Sequence, residues 1–320
     1  MRLLTFPFEE LPLEAAIDRS RGAFVLAQLA LEKTDVPLAV LGVTAIQPGP
    51  AIVLGAMQHA ARVAPGAFDA ATKISVVRRT TSGTGFCLDG GMLFTMALST
   101  ADAAFADATA RNMINRCVRP LLAGFARAGL SATYLGREWI AHQRHALAVL
   151  GVDLSPRGSI LIEAWLTEKG QLSIPRSVAS SLEASCDRYR GRPQRSLEEV
   201  AAGLSREQIA QRFIEGAADR LGGLPQLVND MPAADVAALR VTRPDDPLPA
   251  DFTLLPPIEI PIGFLDVART SAGSSWVGGD MLAPTYALGF EPPVDVSVLP
   301  MEGAQWDNVR RARDATHQCP

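Results

Sequence analysis

One stretch gathers most of the side chains that could do chemistry: Arg78-Arg79-Thr80-Thr81-Ser82-Gly83-Thr84-Gly85-Phe86-Cys87-Leu88-Asp89-Gly90-Gly91. Glycine and small hydroxyl residues let backbone N–H groups come close to a ligand, and successive amides form an anion-binding concavity. Arg78 and Arg79 add planar donor forks suited to a carboxylate or phosphate. Thr81, Ser82 and Thr84 add hydroxyl donors. Together they predict an anionic ligand, such as an acyl carboxylate or a nucleotide phosphate. The same composition also suits a tight hairpin, in which the glycines solve a turn and the arginines are solvated.

Elsewhere the supply of reactive groups is thin. The 30 basic residues include only three lysines, Lys33, Lys73 and Lys169. Arginine does not exchange protons near neutral pH, and its planar fork is no copy of a point charge. The four histidines, His59, His142, His145 and His317, are too few for a His-rich metal centre. The four cysteines, Cys87, Cys117, Cys186 and Cys319, form no CxxC pair and suit neither a zinc site nor a disulfide framework. Cys87 reads as packing filler, although a reactive thiolate needs the kind of cationic setting that Arg78 and Arg79 supply. Cys117 and Cys186 read as core.

The elements that must position these groups can be traced from periodicity. Leu13–Leu31 predicts an amphipathic helix. Leu38–Val43 and Ala51–Leu54, bounded by prolines and glycines, predict two buried strands. Lys73–Arg79 predicts a strand leading into the glycine-rich stretch, and Met92–Leu98 a strand leaving it. Ala101–Ala128 predicts a long helical stretch that would divide near Pro120. Ala146–Leu150 and Ser159–Leu166 predict a strand pair joined by the turn Gly151–Gly158. Ser196 is an N-cap signature, and Ser205-Arg206-Glu207-Gln208 is a capping box for a helix to about Arg220, closed by Gly222-Gly223. Leu224–Pro257, with seven prolines, reads as a linker, and Ile258–Ala287 as short strands with a turn at Ser271–Ser275. Mixed strands and helices in this order predict an α+β domain to about residue 222 with a small appendage after it.

The chain has 320 residues, a formal net charge of −4 and 48% hydrophobic residues. That balance argues against a protein that coats nucleic acid and provides ample core. The longest apolar runs are short of the roughly 20 residues that span a bilayer. Met1–Glu10 lacks the basic and apolar parts of a secretory signal, so a reducing cytoplasm is the expected location.

The segment 78–93 resembles the signature of the lipoate-protein ligases, Arg-Arg-x-Ser-Gly-Gly-Gly-Ala-Val-x-His-Asp-x-Gly-Asn-Leu. Arg78, Arg79, Gly83, Asp89, Gly91 and Leu93 fall in register. Thr81 replaces the Ser, Ser82 and Thr84 the outer glycines of the three, Gly85 the Ala, and Leu88 the His. Ala51–Gln58 is similar to the family's upstream strand ending in Gly-x-x-Gln. Gly136-Arg137-Glu138 is similar to its Gly-Arg-Asn, and Arg157-Gly158-Ser159-Ile160-Leu161 to its His-Gly-Ser-Ile-Leu. Arg195–Leu221 is similar to the segment that closes its domain, so the resemblance covers about residues 10–222. Gly263-Phe264-Leu265-Asp266-Val267 and Gly279-Asp280-Met281-Leu282 faintly resemble the smaller C-terminal domain common in the ligases.

The resemblance implies an α+β fold with mixed sheets, shared with biotin ligases and octanoyltransferases. It implies a ligase-like domain over 1–222 and a Pro-rich linker with a small α+β accessory domain over 223–320. It implies a lipoyl- or octanoyl-like acid bound by Arg78, Arg79, Thr81, Ser82, Gly83, Thr84, Gly85, Asp89, Gly91 and Arg137. ATP with Mg2+ and a lipoyl-type carrier domain follow from the same resemblance. The pattern departs at the family's lysine, where counting from Gly136 places His145, with Arg144 before it. Three readings stand open. His145 takes over part of the lysine's role. Arg144 supplies the fixed charge while His145 orients or relays a proton. Or the chemistry is gone and the fold serves as a binding or assembly protein. A ligase-fold enzyme acting on another carboxylate is a further alternative, since function lives in the site.

Overall fold

The computed structural model describes residues 1–33, 36–69, 71–100, 105, 112–136, 138–201, 203–228, 248, 250–282 and 289–290, with 307, 310, 311 and 314 near the C-terminus. Residues 2–227 build a ten-stranded sheet. Its strands are β1 (Arg2–Thr5), β2 (Glu9–Leu11), β3 (Leu38–Leu54), β4 (Ser75–Arg78), β5 (Phe86–Leu98), β6 (Ala132–Tyr134), β7 (Trp139–His142), β8 (His145–Leu154), β9 (Ile160–Thr167) and β10 (Gln226–Leu227). The order is β10-β1-β3-β5-β9-β8-β7-β6, with β2 and β4 also paired to β3. Strands β1, β2 and β4 run parallel to β3 and β5 antiparallel to it, so the sheet is mixed and the α+β expectation holds.

The two strands expected at Leu38–Val43 and Ala51–Leu54 are one strand, whose register with β5 shifts between Ile46 and Pro50. Proline lacks an N–H for the ladder, so Pro48-Gly49-Pro50 fits only an irregular, exposed stretch. Alternation along β5 separates two cores. Met92, Phe94, Met96 and Leu98 face helices α2 (Met113–Arg127) and α3 (Arg206–Leu221), where Phe94, Phe125 and Phe213 stack with centroids 4.5–5.2 Å apart. Leu93 and Ala97 face the opposite way, toward the cores that include Ala16, Ile17 and Ala23 of α1 (Leu13–Lys33). Pro120 sits inside α2 without dividing it. Packing against α3 outweighs the one hydrogen bond that proline removes. Most of 101–111, where the helical expectation began, lies outside the described residues, as does most of the expected linker.

The caps form as read. Ser205 and Gln208 make reciprocal bonds of 3.2 and 2.9 Å, Ser196 N donates to Glu199 at 2.8 Å, and Gly222 closes α3 at φ 73°. The second sheet holds β11 (Thr253–Leu254), β12 (Ile258–Ile260), β13 (Gly263–Arg269), β14 (Ser275–Gly279) and β15 (Gly289–Phe290). The turn between β13 and β14 falls at Thr270–Ser274, one residue before the expected Ser271–Ser275, because Ser275 already pairs with Arg269.

The β7–β8 turn is strained. His142 pairs with His145 across a two-residue loop, and Gln143 and Arg144 take φ of 47° and 71°. Left-handed backbone costs a non-glycine residue roughly 1–2 kcal/mol, whereas Asn-Gly suits such a loop. The double substitution Gln143→Asn, Arg144→Gly is expected to raise stability by about 1 kcal/mol. A higher urea midpoint at unchanged slope would register it.

Candidate functional site

Strands β4 and β5 lie on opposite flanks of the last turn of β3. The chain between them, residues 79–85, therefore arches over the end of β3 instead of forming a hairpin. The arch is pressed flat against its surroundings. A Cβ on Gly55 would lie 2.1 Å from the Gly83 carbonyl oxygen, and one on Gly151 would lie 2.0 Å from Thr81 Oγ1. Only glycine allows these approaches.

The arch binds itself inward. Arg78 Nη1 donates to the carbonyls of Gly55 (2.9 Å) and Gln58 (2.6 Å). Arg79 Nη2 donates to those of Ser82 (3.2 Å) and Thr84 (3.1 Å). Ser82 Oγ donates to the Val152 carbonyl at 2.7 Å. Thr81 Oγ1 donates at 2.5 Å to Glu163, whose other oxygen accepts from Ser20 Oγ of α1 at 2.6 Å. Trp165 Nε1 also donates to Glu163, and its ring lies 5.7 Å from that of Phe86.

Arg79 is 1% exposed. Its Nε and Nη1 meet no acceptor among the described residues. Burial pulls this guanidinium down to about 10, against the pull of Glu163, Tyr189 and Glu138 toward the charged form. The Tyr189 hydroxyl is likewise buried without a partner among the described residues. Burial pushes its pKa up, so it stays an O–H donor. Tyr189 also lines a cavity of about 430 Å³, together with Gly85, Leu172, Arg176, Arg188 and Arg192. Unpaired donors in a dry place beside a cavity favour an acceptor bearing negative charge.

The remaining expected residues spread along the fold. Asp89 and Gly91 belong to β5, where Asp89 is exposed and accepts from Gly49 N at 3.1 Å. His145 begins β8, half-buried, with Nδ1 3.0 Å from the Gln143 carbonyl. Arg144 is exposed in the strained turn, and neither residue bonds to the arch among the described residues. The turn does adjoin the cavity, because Arg192 donates to the Arg144 carbonyl at 3.4 Å. Arg137 lies outside the described residues. Cys87 is half-buried, with its thiol pushed up by burial and by Asp89. Cys117 is core, whereas Cys186 caps a short helix and borders the cavity. Sequence reasoning missed Glu163, Ser20 and Tyr189. Glu163 did leave a signal, as the one charged residue inside the apolar run Ile160–Leu166.

A buried ionic cluster flanks the arch. Arg62 pairs with Asp266, with Asp280 (2.8 Å) and with Glu183 (3.6 Å), and Arg188 pairs with Glu183 and with Asp280 (2.9 Å). Burial pulls Arg188 down, but the carboxylates of Asp280 and Glu183 outweigh it and hold it well above its ordinary value. Burial pushes Asp266 up to about 6, against the pull of Arg62 and with a push from Asp280. Among the described residues, no group of three or more His, Cys, Asp or Glu could hold a metal ion, and no helix is long and apolar enough to cross a membrane.

No protein-family model matches the chain, and none of the curated proteins does. Solved structures do match. P. falciparum LipL1 in complex with lipoate aligns with a TM-score of 0.59 at 12% identity, covering 87% of this chain and 85% of that one. A lipoate-protein ligase A bound with ATP aligns at 0.53 and 16% identity, covering 75% and 94%. A structure from an archaeal lipoylation system, a bi-partite lipoate protein ligase and its E2 lipoyl domain from Thermoplasma acidophilum, aligns at 0.52 and 14%, covering 75% and 92%. The chain therefore has the lipoate-protein ligase fold.

Two outcomes test this geometry. Gly151→Ala drives a methyl group into Thr81 and is expected to destabilise the protein by about 2 kcal/mol or more, read by urea denaturation. Asp266 has a folded pKa near 6, above the roughly 3.9 of an unfolded aspartate. Its contribution to stability is therefore fully present below about pH 4 and is lost as pH rises through 6. Asp266→Asn is expected to flatten the Tm profile between pH 4 and 7 relative to wild type. A parallel profile would refute the assignment.

Proposed function

We propose that this protein is a divergent lipoate-protein-ligase-like protein that binds a small carboxylic acid, lipoyl- or octanoyl-like, or its adenylate, and transfers the acyl group. The observation that carries this reading is Arg79: buried, charged, and with two N–H groups unmet among the described residues. A buried charge without a partner is strongly unfavourable, and the carboxylate or phosphate of a bound ligand would complete its hydrogen bonds. The Tyr189 hydroxyl fits the same anionic end. Glu163, held by Ser20 and Thr81, fixes the arch from beneath.

The solved structures of the same fold extend the reading. The lipoate-bound and ATP-bound ligases, and the ligase studied with its E2 lipoyl domain, support a lipoyl-type carrier domain as acceptor and ATP as the activating nucleotide. ATP would supply an adenylate leaving group that makes the acyl carbon susceptible to attack. Arg79 and Tyr189 are the residues here that would hold the anionic end of the ligand. Among the described residues no group of three or more His, Cys, Asp or Glu side chains is placed to hold Mg2+. Arg144 and His145, beside the cavity through Arg192, are the proposed catalytic pair in place of the family's lysine. The reading places the protein in the cytoplasm.

A second reading has its own support. Arg78 and the hydroxyls of Thr81 and Ser82 are spent on the protein itself, which favours a binding or assembly protein without catalysis. Thermal shifts with lipoate, octanoate, biotin and ATP separate the readings. A ligand at about 100 times its Kd stabilises by about 2.7 kcal/mol. At least one of these ligands is expected to raise Tm in wild type and not in Arg79→Ala. Silence from all four would overturn the proposal. A response without acyl transfer to a lipoyl-domain lysine would favour the non-catalytic reading.

A further inference from the structure

Asp280 lies just after β14, in the second sheet, and is fully buried. Its carboxylate is bonded by four donors from three segments of the chain. Oδ1 accepts from Gln58 Nε2 (2.5 Å) and Arg62 Nη2 (2.8 Å), and Oδ2 from Phe264 N (2.7 Å) and Arg188 Nη1 (2.9 Å). Two of these donors also reach the arch. Gln58 accepts from Gly55 N at 2.7 Å with its other amide atom, and a Cβ on Gly85 would lie 2.8 Å from that oxygen. Arg188 Nη1 is 3.5 Å from Thr84 Oγ1.

Two residues on, Leu282 touches the arch directly. It is 1% exposed, and a Cβ on Gly83 would lie 2.9 Å from its Cδ2. Gly279 N also donates to the Met57 carbonyl at 2.7 Å, and His59 N to Asp266 at 3.2 Å. The second sheet thus grips the turn after β3 and the arch at Gly83, Thr84 and Gly85. Arg79 lies under that arch and is closed to solvent.

We infer that Asp280 and Leu282 form a latch: the second sheet holds residues 79–85 closed over Arg79, with Asp280 a positioning residue acting through Gln58 and Arg188. The latch rests on the proposed function only in treating the arch as the ligand's cover. Charge makes it strong. One carboxylate bridges two buried guanidiniums, and loss of its charge removes one ion pair from each. Leu282 adds an apolar contact to the arch outside the ionic cluster, from the core that also holds Leu150 and Val152 of β8.

Hydrogen exchange of the full-length chain, without any ligand, tests the latch. Leu282→Ala and Asp280→Asn are expected to speed exchange of the amides of residues 81–85 by about tenfold or more. Amides of β8, β9 and α3 should keep wild-type rates. Leu282→Met, which preserves volume, should restore wild-type exchange of the arch. If Asp280→Asn fails to fold, Leu282→Ala alone decides. Unchanged exchange of the arch in Leu282→Ala would overturn the latch, and so would an equal rise throughout the core. Because no acid is used, a failure to bind lipoate or octanoate leaves this result standing, and the reverse also holds.

Discussion

Arg79 carries its positive charge to a place water does not reach, where, among the described residues, no carboxylate forms an ion pair with it and Nε and Nη1 have no acceptor. Such a charge is tolerated only when its surroundings are fixed by other forces. Those forces are visible. The guanidinium lies 5.4 Å from the Phe86 ring, and its remaining nitrogen closes the arch on itself. Glu163 attracts it from beneath while bonding Thr81 of the arch and Ser20 of α1. The apolar packing of Phe86 and Trp165 keeps water away and so preserves the strength of these interactions.

The second sheet answers the same constraint from the other side. Five buried ionisable groups, Arg62, Arg188, Glu183, Asp266 and Asp280, meet where it docks. Three carboxylates against two guanidiniums leave an excess negative charge. Burial raises the Asp266 pKa, with a further push from Asp280, whereas at Asp280 the same burial is outweighed by two guanidiniums, which hold it below the ordinary aspartate range. Electrostatics here specifies a geometry more than it adds stability, since buried ion pairs often do little better than break even against their desolvation. The geometry specified is that of the turn after β3 and of the arch above it.

Local signals in the chain were legible where the physics is local. Ser205 with Gln208, and Gly222 at the other end of α3, are satisfied within a few residues of themselves, so their types announce the helix they bound. The strands Ser75–Arg78 and Ile160–Thr167 were readable from their composition, and the glycines at 83 and 85 marked a close backbone approach. The two strands read at Leu38–Val43 and Ala51–Leu54 proved to be one, and Pro120 failed to break its helix. In both places packing against distant partners overrode a local breaker.

The sequence alone therefore determined the fold class, the ends of α3 and the segment where the backbone comes close to its surroundings, because backbone propensity and hydrophobic period act over a few residues. Only the tertiary structure decided that the glycine-rich segment is an arch and not a hairpin, that Arg79 faces inward, and that Asp280 meets Gln58 and Arg188. The reason is distance along the chain. Gln58 and Asp280 are 222 residues apart. A carboxylate's four acceptor positions carry no record in the sequence of which donors will fill them until the sheets have packed.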